Sequence, residues 1–245
     1  MAAPSISDRP SWQKGAGALA LALFCVLGIA LAQRAGWLDD LNIGLMGQAG
    51  RAREGVIGQH LTSYMRLASV IGDTGGRLIM LALILGWLFY IRRRQAAAWL
   101  ALGMAGGTLL NLGLKQIFAA PRPDLLPHLD IVHSYSFPSG HAAGNMMFFG
   151  LVAMLAARRS VTVAAGLMIA SIGVSRVWLG VHWPSDVTAG WIEGLGWLAL
   201  CRVWLPTRGG QGERADHALM RRHAVAGDEA MDPETVEHAR PGDQQ

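Results

Sequence analysis

Ser139, Gly140 and His141 follow Pro138 and open a long apolar run, an odd start for a segment that only has to cross lipid. A second imidazole, His182, stands four residues before Asp186. Three cations, Lys115, Arg122 and Arg176, lie at the ends of apolar runs or just beyond them. These residue types share one chemistry. One imidazole can attack phosphorus while the other protonates the departing oxygen. A carboxylate four residues from a histidine, within one helical turn if the helix begins early, can fix its tautomer and leave the other ring nitrogen free. Two arginines and a lysine suit a phosphate dianion, because guanidinium binds such oxygens bidentately. A helix beginning at Ser139-Gly140-His141 would present unpaired N–H groups and its positive dipole end to an anion. Gly140 would let that anion approach closely.

Each residue also has a plainer reading. A single cation at a span end is an ordinary snorkelling anchor, and a serine before a helix is an ordinary cap. Only Asp124 and Asp186 offer themselves from the sequence as acidic neighbours of the three cations. His60, His128 and His133 read as polar caps or interface residues. Cys25 and Cys201 lie inside apolar runs and read as small core residues, not as a disulfide, a metal site or a nucleophile. Trp178 and Trp183 read as interfacial anchors. Glu193, inside an apolar run, has no partner legible in the sequence, since Arg202 is too far along a straight helix.

The elements that must position these residues are membrane helices. The chain of 245 residues is 52% hydrophobic, 16% charged and has a mean hydropathy of +0.31. Soluble domains carry roughly 25% charged residues. Six apolar runs approach the roughly 20 residues a bilayer crossing needs. They cover about 15–32, 77–91, 96–114, 141–157, 161–178 and 185–205. Between the first two, Ile57, Leu61, Tyr64, Met65, Ala68 and Ile71 recur at helical spacing, which predicts an amphipathic helix, either at the membrane interface or packed over the bundle. Pairs of glycines four apart, Gly103 with Gly107 and Gly190 with Gly194, predict close helix approach. The expected fold is therefore all-α: an integral membrane bundle of about six transmembrane helices with an interfacial amphipathic helix. Residues 1–14 form a cytoplasmic N-terminus, 15–205 the membrane domain and 206–245 a polar, disordered cytoplasmic tail.

The net charge of +4 and isoelectric point near 9.6 do not indicate nucleic acid, because the basic residues flank apolar runs. Arg92, Arg93 and Arg94 with Arg158 and Arg159 place that side in the cytoplasm. The loops 115–140 and 179–184, with all the candidate residues, then share the extracytoplasmic face.

Lys115-x6-Arg122-Pro123, then Pro138-Ser139-Gly140-His141, then Ser175-Arg176-x5-His182-x3-Asp186 resembles the three-part signature of the type-2 phosphatidic acid phosphatase family, within the lipid phosphatase and vanadium haloperoxidase superfamily. The resemblance spans residues 115–186, and the six-span layout extends it to about 15–205. It implies that His182 is the nucleophile and forms a phosphohistidine, that Asp186 orients it and that His141 is the general acid. It implies phosphate binding by Lys115, Arg122, Ser139, Gly140 and Arg176, with no metal and no cofactor. The implied substrate is a membrane lipid phosphate of the phosphatidic acid, phosphatidylglycerol phosphate, undecaprenyl pyrophosphate or lipid A type, and the implied location is the bacterial inner (cell) membrane. Lipid-to-lipid phosphotransfer would use the same site. Anion transport is a distant alternative, because the basic residues lie at span ends rather than at a broken helix near the midplane.

Overall fold

A computed structural model describes residues 11–205. Among them the chain forms eight α-helices and no strand: α1 (Ser11–Arg34), α2 (Asp39–Ala52), α3 (Gly55–Gly72), α4 (Thr74–Tyr90), α5 (Arg94–Phe118), α6 (Gly140–Ala156), α7 (Arg159–Trp178) and α8 (Pro184–Cys201). Each of the six expected apolar runs becomes a helix, α1 and α4 to α8. The expected tail at 206–245 lies outside the described residues, as do residues 1–10; residues 11–14 belong to α1.

By length and composition, α1, α5 and α7 can each cross a bilayer alone. The α3 and α4 helices satisfy the same test as a pair bent by 54°. The α6 helix is apolar but only 17 residues long. Large apolar side chains such as Leu21, Phe24, Leu83, Leu102, Leu109 and Leu167 face outward from the bundle. That is the pattern of a fold whose solvent is hydrocarbon, where all backbone polar groups must be satisfied inside helices.

Helices α6 and α8 form the centre, with α1 laid along α8, α5 and α7 against α6, and α3 against α7. The core between α5, α6 and α8 is built from Leu100, Met104, Ala143, Met147, Phe148, Leu151 and Leu198. Both predicted glycine faces are used. A Cβ on Gly107 would lie 3.0 Å from the Trp197 indole nitrogen, and one on Gly190 would lie 2.6 Å from the Ser139 carbonyl. The second approach sets the start of α6 directly on α8.

The segment 33–76 contains the expected amphipathic helix as α3, packed against α7, and adds α2 before it. Helix α3 buries Gly58, Ala68, Ser69 and Gly72, while Ile57, Leu61 and Tyr64 of the expected apolar stripe are exposed. Ala68 of that stripe is buried and Met65 packs against the cluster of Trp178, Leu179 and Val181, so the contact face of α3 is made mainly of its small residues. Trp178 is likewise buried, not an interfacial anchor, and its indole N–H donates to Thr62 Oγ1 of α3 at 3.0 Å.

The Gly190 approach makes a stability prediction. Gly190→Val is expected to lose about 1–3 kcal/mol through overpacking. Gly17→Ala, where no atom lies within 4 Å of the new methyl, is expected to be neutral or to gain up to about 1 kcal/mol from helix propensity. Thermal unfolding in detergent reads both; equal behaviour of the two variants would contradict the packing described.

Candidate active site

The site lies at the end of the bundle where α5 and α7 finish and α6 and α8 begin. Two connections carry it: residues 119–139 between α5 and α6, and 179–183 between α7 and α8. Helix α5 stops because Ala119 takes a left-handed conformation (φ 45°), and α7 turns at Gly180 (φ 81°), two residues before His182. The connections are tied down by Ser136 N–H to the Ala120 carbonyl (2.9 Å) and Leu129 N–H to the Leu179 carbonyl (3.0 Å).

Asp186 is wholly buried and surrounded by donors. Its Oδ1 accepts from Gln33 Nε2 at 2.9 Å, and its Oδ2 accepts from Ser136 Oγ at 2.5 Å and from the Trp183 N–H at 3.0 Å. The same oxygen lies 3.3 Å from His182 Nδ1, with Ser136 Oγ 3.2 Å from that nitrogen. These neighbours assign the ring proton to Nδ1. Arg122 Nη1 lies 3.3 Å from Nε2, and because guanidinium only donates, Nε2 carries the lone pair. Burial pushes the His182 pKa down to about 4; Asp186 opposes this, and the charges of Arg122 and Arg176 add to it. The imidazole is therefore neutral at physiological pH, the form a nucleophile requires.

A cavity of about 250 Å³ is lined by His141, His182, Lys115, Arg122, Arg176 and Gly140, and also by Asn111, Arg77, Asp73 and His133. The structure thus gathers seven of the eight sequence-derived residues around one space, Asp186 among them through His182. Ser139 is the exception: it is fully buried away from the cavity, its hydroxyl accepts from the Ala142 N–H at 3.5 Å and its own N–H bonds the Asp186 carbonyl. Its visible work is to cap α6 and join α6 to α8.

The cations are held by oxygen atoms. Lys115 Nζ donates to the Tyr135 carbonyl (2.5 Å), and Arg122 donates to the carbonyls of Ser134 and Val181 (2.8 Å each). Burial, with repulsion from Arg176, lowers the Arg122 pKa to about 10, which leaves it charged at neutral pH. Arg176 donates to Ser69 Oγ and pairs with Asp130 at 2.5 Å, while its Nε has no hydrogen-bond partner. Burial opposes ionisation of Asp130, but Arg176, Ser69 and the Ile131 N–H outweigh it and hold the carboxyl below the usual range. Asp130 thus corrects the expectation that Asp124 and Asp186 were the only acids near the cations.

His141 occupies the first turn of α6, with Nε2 3.7 Å from Asp73 Oδ1. Asn145, one turn on, donates to the His141 and Gly72 carbonyls and so fastens this turn to the α3–α4 corner. Glu193 has its partner on α5, not at Arg202: Asn111 Nδ2 donates to it at 2.8 Å. Cys201 is buried and Cys25 exposed, both as free thiols.

Sequence reading missed Gln33, Ser136, Asp130 and Arg77. None had a local signal except Arg77, a cation in the first turn of a helix, where the dipole disfavours it. His133 was read as an ordinary cap and instead lines the cavity.

The cavity is thus bordered by four cations and the imidazoles of His141 and His182 at one end of a bundle of apolar helices. The chain belongs to the PAP2 superfamily, whose family model matches residues 96–209. It is 30% identical over 146 residues to phosphatidylglycerophosphatase B of Bacillus subtilis (strain 168), across 55% of this chain and 70% of that protein. It is 37% identical over 103 residues to the lipid A 1-phosphatase of Rhizobium etli and 38% identical over 76 residues to an undecaprenyl-diphosphatase of Sulfolobus acidocaldarius. The chain covers only 43% and 35% of those two proteins. Among solved structures it resembles the transmembrane PAP2-type phosphatidylglycerolphosphate phosphatase of B. subtilis, with a TM-score of 0.66 and 25% identity over 76% of this chain and 93% of that one. It also resembles Aquifex aeolicus LpxE, with a TM-score of 0.55 and 26% identity over 67% and 94%.

The geometry predicts the titration of His182. In 15N-imidazole NMR spectra of the protein in detergent, His182 should remain the neutral Nδ1–H tautomer at pH 5.5, where an ordinary histidine of pKa about 6.5 is roughly 90% protonated. Because its folded-state pKa is depressed, this group favours folding above about pH 6.5, and that stabilisation is lost as pH falls toward about 4. Protonation near pH 6.5 in the folded protein would contradict the environment described.

Proposed function

We propose that the protein is a lipid phosphate phosphatase that hydrolyses a phosphomonoester or diphosphate lipid through a phosphohistidine on His182. The observation that carries this reading is the pair of contacts on the His182 ring. Asp186 and Ser136 hold Nδ1, and Nε2 turns its lone pair toward the cavity that His141 also lines. The relatives named above are called phosphatases of lipid phosphates, which agrees with this reading.

Substrate phosphate enters among Lys115, Arg122 and Arg176, drawing Arg122 away from Nε2 onto a phosphoryl oxygen. The first amides of α6, at Gly140 and His141, have no earlier helical carbonyl to bond, and both residues line the same cavity. Nε2 attacks phosphorus, the bond to the leaving oxygen breaks, and His141 delivers a proton to that oxygen. As Nε2 gains positive character, the Nδ1–H to Asp186 contact strengthens, because the carboxylate stabilises the developing imidazolium. Water then attacks the phosphohistidine with His141 acting as base, and inorganic phosphate leaves. The side-chain cations supply the charge stabilisation that Mg²⁺ gives in other phosphoryl transfers. Activity is therefore expected to persist in EDTA.

The site faces the extracytoplasmic side in this reading. Arg92 to Arg94 join α4 to α5 and Arg158 and Arg159 join α6 to α7, both at the helix ends remote from the site, where the positive-inside rule puts the cytoplasm.

His182→Ala is expected to abolish phosphate release from phosphatidic acid in mixed micelles, and His141→Ala to slow it about a hundredfold to ten-thousandfold. Both variants should insert and elute as the parent does. Vanadate, which adopts five-coordinate geometry, should inhibit the parent enzyme. Near-normal turnover by His182→Ala would overturn the mechanism.

A further inference from the structure

Arg77 is the cation that neither the three-part signature nor the mechanism above uses. It sits in the first turn of α4, close to the positive end of the helix dipole, where a guanidinium is disfavoured. It is half-buried, and among the described residues no carboxylate lies within ion-pair distance of it. Its Nη1 donates to the Gly72 carbonyl at 2.8 Å, and its Nη2 reaches Thr74 Oγ1 only at 3.4 Å. A guanidinium has five N–H donors, so most of its capacity is unspent. Four cations now line one small cavity. Three of them surround His182 or bind the loops beside it, and Arg77 does not.

Its position is on the general-acid side. A Cβ on Gly144 would lie 2.7 Å from Arg77 Cζ, so the guanidinium rests against α6 one turn beyond His141 and on the same face. Both residues meet the α3–α4 corner: Arg77 bonds the Gly72 carbonyl and His141 faces Asp73. The oxygen that His141 protonates is the leaving oxygen, so Arg77 borders the volume into which the leaving group departs.

We propose that Arg77 is a specificity-determining residue that binds a second phosphate, carried by the leaving group, and so favours lipid diphosphates over lipid monophosphates. The proposal rests on the phosphatase reading above and deepens it. With a diphosphate, Nε2 bonds the terminal phosphorus and the bridging P–O bond breaks. Its electron pair stays on the bridging oxygen, and the lipid monophosphate departs. That leaving group needs little protonation but gains a full unit of charge, which an adjacent guanidinium stabilises in the transition state. A lipid alkoxide leaving group gains its charge on the oxygen served by His141 and offers Arg77 no second phosphate.

The test compares farnesyl diphosphate with farnesyl monophosphate, which share one tail, in the full-length detergent-solubilised enzyme. Arg77→Gln is expected to lower kcat/KM for the diphosphate at least about tenfold more than for the monophosphate, and Arg77→Lys to recover part of the difference. Gly144→Ala keeps the charge but pushes the guanidinium aside, and should shift the ratio in the same direction. Melting temperature and elution volume report folding separately. Equal losses on both substrates, or no loss on either, would overturn the assignment while leaving the phosphatase reading intact. Failure of the parent enzyme to hydrolyse any lipid phosphate would remove that reading and the proposal with it.

Discussion

The arrangement depends on one buried carboxylate. Asp186 is removed from solvent yet remains satisfied, because Gln33, Ser136, the Trp183 amide and His182 converge on its two oxygens. These donors come from α1, the 119–139 connection and the 179–183 turn, which supplies both His182 and the Trp183 amide. An unsatisfied carboxylate at this depth would cost several kcal/mol, so each donor is also a constraint on where its own segment can lie. The same atoms that orient the His182 ring therefore fix α1 and the 119–139 connection against α8. Removing Asp186 would loosen the site and the join between these segments together.

Charge balance follows from the same crowding. Lys115, Arg122, Arg176 and Arg77 share one cavity, and like charges at such separations repel strongly where the local dielectric is low. The fold offsets this unequally. Asp130 pairs directly with Arg176, backbone carbonyls receive Lys115 and Arg122, and Glu193 accepts from Asn111, which lines the cavity. Arg77 has the Gly72 carbonyl and a long contact to Thr74 Oγ1. In the proposed function, a phosphate entering the cavity completes the balance.

Much of this was legible in the sequence where the signal is local. Helix α6 starts at Gly140, directly after the Pro138-Ser139 signal, and His182 meets Asp186 at 3.3 Å although α8 starts only at Pro184. Gly190 was legible as a close-approach residue, though not that its neighbour would be the Ser139 carbonyl. The rest depends on residues far apart in the chain. Gln33 is 153 positions from Asp186 and Asn111 is 82 from Glu193, and neither residue type suggests a partner by itself. The apolar periodicity of α3 fits a helix at the interface as well as one laid over the bundle, so it does not by itself say which face packs inward. In a membrane the large residues turn outward, and the small face holding Ser69 carries the contact to Arg176.

The central claim is that His182 Nε2, held neutral and aimed by Asp186, becomes covalently bonded to phosphorus. The most direct measurement is rapid quenching of the enzyme with 32P-labelled phosphatidic acid, followed by peptide mapping of the trapped label. The account predicts an alkali-stable, acid-labile phosphoryl group on His182, formed fast enough to precede phosphate release and absent from His182→Ala. Label on another residue, or single-turnover release of phosphate with no labelled protein at any time, would contradict it.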